Sequence, residues 1–384
     1  MLNMAVAHAL DPETSSAAAQ LVEQARAELG DVRPQAGIVY TAMGIDHLLL
    51  MRLLAEAMPG VELIGCTTDG EITGCEGFHE DSTVLVLFGS DQVSIRAGLG
   101  RDVGRDAAAA AQQAVRVARR EGDGDPRLCI ALPDGLSVSG TVVTAALREA
   151  LGPDVVLVGG TAGDQRVFER SLVMFGDEVV EDGVALLLVS GEVQVGVGIG
   201  SGWRPVGTTT RVTASTGNVV QRIGEHTALG FYQRYMGEHV VPDPEYPLGV
   251  HDPASGRFFL RAPLVVNHET GEITFAGDLP VGSEVQITEA RRDEILAGCR
   301  ASVQSALADL GDRTPEGALV FSCAARRLVL GTQTAREIDE VFKALEIRPP
   351  IAGFYTYGEI APLERGGPSL FHNETFVTVF VAAS

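Results

Sequence analysis

Three glycine-bearing turns recur along the chain, each at the end of an apolar run, and they constrain the fold more than any other feature. Residues 64–72 read IGCTTDGEI, residues 158–165 read VGGTAGDQ, and residues 352–360 read AGFYTYGEI. The first and third share Gly-x4-Gly-Glu, as Gly65, Gly70, Glu71 and Gly353, Gly358, Glu359; the middle copy has Gly159, Gly163 and Asp164. Around each turn the pattern is strand, helix, strand, glycine motif, strand, and such self-similarity predicts a repeated supersecondary unit. A strand-helix-strand unit is right-handed and lays its two strands parallel, so the turns belong at strand ends, where ligands commonly sit. The expected fold class is therefore α/β: mixed sheets built from three repeated strand-helix-strand-strand units with flanking helices.

Helix signals are clear. Leu21, Val22, Ala25 and Leu29 share a face over 15–29, with Gly30 as a stop. Helices are also predicted over 46–58, 107–120, 140–151 (after Ser139), 225–236, 289–310 and 334–345, the last opened by a Thr334/Glu337 capping box. Gly196, Gly198, Gly200 and Gly202 alternate, which fits a strand with one bare face approached closely by another backbone. Between about 203 and 316 the pattern is interrupted by a Pro-rich link and a predicted hairpin across 267–271. A boundary is expected near Glu225, giving domains 1–225 and 226–384, since 384 residues exceed one ordinary core.

The net charge of −22 repels phosphate backbones and anionic lipid surfaces, so neither nucleic acid nor membrane is an expected partner. No run approaches the ~18 apolar residues of a membrane span. The opening residues do not read as a signal peptide. Five cysteines without C-x-x-C spacing read as reduced thiols, and a cytoplasmic location is expected.

Enzyme signatures are scarce. The one lysine, Lys343, lies in a predicted helix, which excludes a Walker A loop. The near-elbow PDGLSVSG, residues 133–140, lacks the second glycine after Ser137. Two clusters suggest binding. In FSCAARR, residues 321–327, Arg326 and Arg327 could lower the Cys323 pKa or clamp a carboxylate. In LFHNETFV, residues 370–377, His372, Asn373, Glu374 and Thr375 form a polar island between apolar strands, and its groups need partners from protein or ligand.

Eight segments in order resemble one known family. IGCTTDGEITG, LPDGLSVSG, VLVGGTAGD and GVGIGSGW are similar to the FIST N-terminal domain, and YPLGV, FSCAARRLVLG, GFYTYGEI and FHNETFV to the FIST C-terminal domain. The resemblance implies a non-enzymatic sensory module that binds a small molecule, proposed for the family to be an amino acid or similar. The expected output is in trans, to a histidine kinase, diguanylate cyclase or chemotaxis partner. Some stand-alone members are described as haem-binding nitric-oxide sensors, so non-covalent haem on His372, His239 or His251 is an alternative; a thiol or serine enzyme on Cys323 or Ser137 is another. From local chemistry, the expected ligand-binding residues are Cys323, Arg326, Arg327, Tyr357, Gly358, Glu359, His372, Asn373, Thr67, Thr68 and Thr161.

Overall fold

The computed structural model describes residues 1–252 and 256–383. The chain opens with β1 (Leu2–Ala9), α1 (Thr14–Leu29), β2 (Ala36–Thr41), α2 (His47–Ala57), β3 (Glu62–Thr67), β4 (Glu71–Thr73), β5 (Gly77–His79) and β6 (Thr83–Ser90). There follow β7 (Val93–Arg101), α3 (Ala107–Ala118), β8 (Pro126–Pro133), α4 (Gly140–Leu151), β9 (Val156–Gly160), β10 (Val173–Phe175), β11 (Glu178–Val180) and β12 (Gly183–Gly191). After β13 (Val193–Gly200) comes an inserted segment: β14 (Arg204–Thr216), β15 (Val219–Ile223), β16 (His226–Thr227), α5 (Ala228–Met236), β17 (Leu248–His251), β18 (Phe258–Arg261), β19 (Pro263–Val266), β20 (Ile273–Phe275) and β21 (Glu284–Glu289). The chain then resumes with α6 (Arg292–Leu310), β22 (Gly317–Cys323), α7 (Ala324–Leu330), α8 (Arg336–Lys343), β23 (Ile351–Thr356), β24 (Glu359–Pro362), β25 (Ser369–His372) and β26 (Phe376–Ala383).

Three six-stranded sheets result, ordered β1-β6-β2-β3-β10-β11, β7-β12-β8-β9-β24-β25 and β13-β26-β22-β23-β4-β5. In each, one central pair is parallel: β2 with β3, β8 with β9, and β22 with β23. The short hairpin after each glycine turn does not stay in its own sheet. β4–β5 extends the third sheet through β23, β10–β11 extends the first through β3, and β24–β25 extends the second through β9. The hairpins therefore lace the sheets into one interlocked body. β1 escapes the sequence reading because the eight-residue run Leu2–Ala9 is nearly all buried and shows no alternation.

Inner faces of the three sheets meet in a shared core containing Tyr40, Ile64, Leu187, Phe321, Phe354 and Val377. Tyr40 and Phe321 both pack on Phe354, with ring centroids 4.7 and 5.7 Å away. Outer faces are covered by helices: α1 and α2 on the first sheet, α3 and α4 on the second, α6 and α8 on the third. The bare glycine face of β13 lies under α6. A Cβ on Gly198 would fall on the Ser302 carbonyl, and one on Gly200 on that of Gly298.

Two local expectations change. The helix predicted from 225 begins at Ala228, capped by Thr227, whose hydroxyl accepts from Gly230 N–H. Glu225 lies instead between the paired strands β15 and β16 of the inserted sheet. The Thr334 box does not form: Thr334 Oγ1 donates to Gly331 O at 2.7 Å, while Glu337 turns inward to Arg326. Among the described residues, no helix is long and apolar enough to cross a membrane.

Candidate functional site

The three glycine turns converge. Asp69 N–H donates to Tyr355 O at 2.9 Å, Gly163 N–H to Thr67 O at 2.9 Å, and Tyr357 N–H to Thr161 O at 3.3 Å. Each turn thus donates to one neighbour and accepts from the other, and the three strand ends are locked around a common point. Glycine is required on the parallel strands: a Cβ on Gly159 would overlap Ala131 O, and one on Gly353 would overlap Val320 O. Beside the turns, buried acids are held by hydroxyls. Glu71 accepts from Thr68 and from Ser82 Oγ (2.6 Å); Glu359 accepts from Thr356 Oγ1 (2.6 Å) and Thr375 Oγ1 (2.7 Å). Burial lifts Glu71 to about 8 and Glu359 to about 7, because desolvation of the charge outweighs these bonds.

A cavity of about 610 Å³ opens next to this centre, between the second glycine turn, the start of α4, the start of α7 and the inserted sheet. Its walls are mainly apolar, with Leu136, Phe168, Leu264, Phe275, Leu328 and Phe371. Thr161, Cys323, Tyr357 and Asn373, all expected from sequence, line it, together with Ser139 and Thr356. Asn373 is fully buried, and neither its Oδ1 nor its Nδ2 has a hydrogen-bond partner. Its neighbours in the β25–β26 turn share this state: His372 Nδ1 and both carboxylate oxygens of Glu374 are buried without partners. Glu374 has φ 60°, a left-handed conformation rare for residues other than glycine. Its carboxyl is pushed well above the usual range by burial and by Glu359 nearby.

One edge of the cavity is the loop joining β9 to β10. Asp164 organises it, accepting from the Phe168, Glu169 and Arg170 N–H groups at 2.9, 2.7 and 2.9 Å and from the Tyr357 hydroxyl. Burial opposes the Asp164 charge, but these donors hold its pKa below the usual value. Gln165, Arg166 and Phe168 all have positive φ (57°, 65° and 58°). Phe168 is 54% exposed and stacks on Tyr357 at 4.8 Å.

Several expected residues lie elsewhere. Arg326 is fully buried, and its guanidinium is consumed by protein: Nε donates to Glu337 at 2.8 Å, Nη1 to Ser201 O at 2.6 Å, and Nη2 to Ile295 O at 2.9 Å and Cys299 Sγ at 3.1 Å. Arg327 is paired with Asp69 at 2.7 Å and with Glu80, and lies 4.8 Å over the Phe78 ring. Neither arginine is available to clamp a carboxylate. The Cys323 thiol is not activated: burial and the Glu359 and Glu374 carboxyls push its pKa well up. Thr67 and Thr68 serve the protein, accepting from Leu172 N–H at 2.9 Å and Gly70 N–H at 3.0 Å. Gly358 is packed under Phe371, and its carbonyl accepts from Thr161 N–H at 2.9 Å. Ser137 donates to Asp134, so the near-elbow is a hydrogen-bonded turn.

The histidines do not assemble a haem site. His239 is exposed, His251 is half-buried at 3.4 Å from Gln286 Oε1, and His372 holds Ala361 O at 2.9 Å through Nε2. None of the three lines the cavity. The donor set there, a protonated Cys323 thiol and a Tyr357 phenol tied to Asp164, does not fit an axial ligand.

Family models match the FIST N domain over residues 35–226 and the FIST C domain over residues 228–362. The chain belongs to the FIST family. FIST domains are sensory domains, which gives this FIST protein a sensory role at that coarse level. The change from N to C domain falls within the inserted sheet, and the two segments share sheets: β13 pairs with β26, and β24 with β9. An uncharacterised protein of Methanocaldococcus jannaschii is 26% identical over 193 residues, covering 48% of this chain and 36% of the relative, so the match spans about a third of that protein. Two cyanuric acid hydrolase structures, one from A. caulinodans, align over essentially the whole of both chains at 10% and 9% identity, with TM-scores of 0.38 and 0.39.

The inserted segment's share of the cavity was invisible in the sequence. Leu264 and Phe275 come from β19 and β20, the strands of the predicted hairpin, but nothing in those strands says that they dock beside the glycine turns, and Phe168 sits in a loop with no motif.

Proposed function

We propose that this FIST protein senses a small, neutral, largely apolar molecule carrying an amide-like donor–acceptor edge, bound in the 610 Å³ cavity. The observation that carries this reading is Asn373: fully buried, at the cavity wall, with both amide heteroatoms unpartnered. Leaving such groups unsatisfied costs about 1–3 kcal/mol each, and a complementary edge on a ligand recovers that cost. Mainly apolar walls with a few convergent polar groups are the usual composition of a small-molecule pocket. An amino-acid-like ligand, expected from sequence, needs a cation for its carboxylate. Both candidate arginines are occupied, and the arginine that does line the cavity, Arg166, is paired with Asp69 at 3.3 Å, so an amide or lactam edge suits the site better than a free amino acid.

The reading is of a binding protein rather than an enzyme. It is supported by a cavity whose thiol is held protonated, and by a near-elbow serine that is bonded to Asp134. Its output is assigned to a separate kinase, cyclase or chemotaxis protein, which co-purification from cells in the presence and absence of ligand would test.

The test of the binding reading is a thermal-shift panel of primary amides, lactams and neutral hydroxylated heteroaromatics, set beside free amino acids. Binding to the native state raises the midpoint by mass action. At least one neutral amide-type compound is expected to stabilise the wild type clearly more than Asn373→Leu. A panel that stabilises neither protein, or both equally, defeats the reading.

A further inference from the structure

Outside the cavity, one cluster joins two sheets by residue types that ligate metals. His8 lies near the end of β1 in the first sheet, while Glu76 and His79 lie on the β4–β5 hairpin that extends the third. One potential ligand atom from each lies within 4.8 Å of the others, the only such group of three among the described residues. The imidazoles of His8 and His79 are 4.9 Å apart, tilted by 37°.

We propose that His8, Glu76 and His79 bind a divalent transition-metal ion of the zinc type, which clips the exchanged hairpin back onto its own first sheet. Two imidazoles and one carboxylate are the donor set such ions select, whereas calcium and magnesium prefer all-oxygen sites. His79 Nε2 lies 3.2 Å from the Glu76 backbone carbonyl. A carbonyl only accepts, so Nε2 carries the proton and the Nδ1 lone pair is left free. That is how ligating histidines are commonly oriented. The His8 ring makes no hydrogen bond within the described residues, and its backbone is fixed by Gln24, with His8 N–H donating at 2.9 Å and Gln24 Nε2 returning to His8 O at 2.9 Å. Glu76 is exposed and His79 half-buried, which leaves room for the side chains to close and for water at a fourth position.

The consequence is mechanical. The hairpin strand β4 begins at Glu71, directly after the first glycine turn, and Asp69 of that turn pairs with Arg166 at 3.3 Å on the loop that edges the cavity. An ion there stiffens the route from the β1 edge to the cavity mouth.

The test uses full-length protein stripped with chelator, in a Cys75→Ser background so that the exposed thiol cannot supply an adventitious ligand. ZnCl2 is titrated by calorimetry, and CoCl2 by the visible absorbance of a nitrogen- and oxygen-ligated ion. One equivalent of saturable binding is expected, weakened at least ten-fold in His79→Gln and in Glu76→Gln, and unchanged in the exposed control His268→Ala. The two hairpin variants keep the buried His8 intact, so their folding, checked by circular dichroism, is not in play. Absence of saturable zinc binding, or equal binding by wild type and both hairpin variants, overturns the proposal.

Discussion

Replacing Arg326 should destabilise the protein while leaving ligand recognition intact in the folded state. The guanidinium is enclosed between α6, α7 and α8, and donates to the Glu337 carboxylate, to the Ser201 and Ile295 carbonyls and to Cys299 Sγ. Arg326→Met removes every one of these donors while keeping much of the side-chain volume. Glu337 retains Ser322 Oγ at 2.9 Å and Tyr355 OH at 2.5 Å, so it is not wholly abandoned, but its charge loses its counter-ion. Removing one partner of a buried pair costs about 3–5 kcal/mol. The expected stability loss lies in that range, read as a shift in the urea midpoint at constant m-value. Adding Glu337→Gln removes the uncompensated charge, so the double variant should lose less than the sum of the singles, with a coupling of at least about 1 kcal/mol. Under conditions where Arg326→Met remains folded, the thermal shift produced by a cavity ligand should persist. A loss below about 1 kcal/mol, additive behaviour, or a folded variant blind to ligand would refute the assignment of Arg326 to the scaffold.

Other outcomes follow from the same geometry. Glu71 has a folded pKa of about 8 against an ordinary value of 4.5, so the native state holds a proton that the unfolded chain releases. Its contribution is therefore full below about pH 4.5 and is lost as pH rises through about 8, with a slope of up to about 1.4 kcal/mol per pH unit. The stability difference between wild type and Glu71→Gln, measured by urea unfolding from pH 5 to 8, should fall with pH; a flat or rising difference contradicts the buried neutral acid. Gly198→Ala places a methyl group on the Ser302 carbonyl and should destabilise by about 1–3 kcal/mol or more, whereas Gly282→Ala, with open space but φ 94°, should cost only backbone strain. In the native protein Cys75 should react with iodoacetamide quickly, and Cys66, Cys129, Cys299 and Cys323 only after unfolding; fast labelling at Cys323 would mean an open, activated thiol.

Much of the scaffold was legible because its signals are local. The alternating glycines of β13 announced a close backbone, and α6 supplies it; the glycine turns announced strand ends, and the ends meet. What could not be read was partner choice. Three-residue strands such as β4, β5, β10 and β11 are too short for a period, and nothing in them says that they join another sheet. The same limit misdirected the site. Arg326 next to Cys323 has the same local sequence whether it faces a ligand or Glu337, and only the packing of α8 decides. Asn373 could be singled out because a polar island between two apolar strands has to find partners somewhere. The apolar cavity walls could not, since they come from an inserted segment whose docking against α4 is a long-range contact: Asp278 N–H, for one, donates to Thr141 Oγ1 at 3.2 Å.

The central claim is that Asn373 reads the edge of a neutral ligand, and calorimetric titration of the best-stabilising amide-type compound tests it most directly. Wild type should bind one molecule per chain. Asn373→Leu should bind at least five-fold more weakly, as expected for about 1–3 kcal/mol of lost hydrogen bonding, while remaining as stable as wild type or more so. Equal affinity in the two proteins would contradict the account.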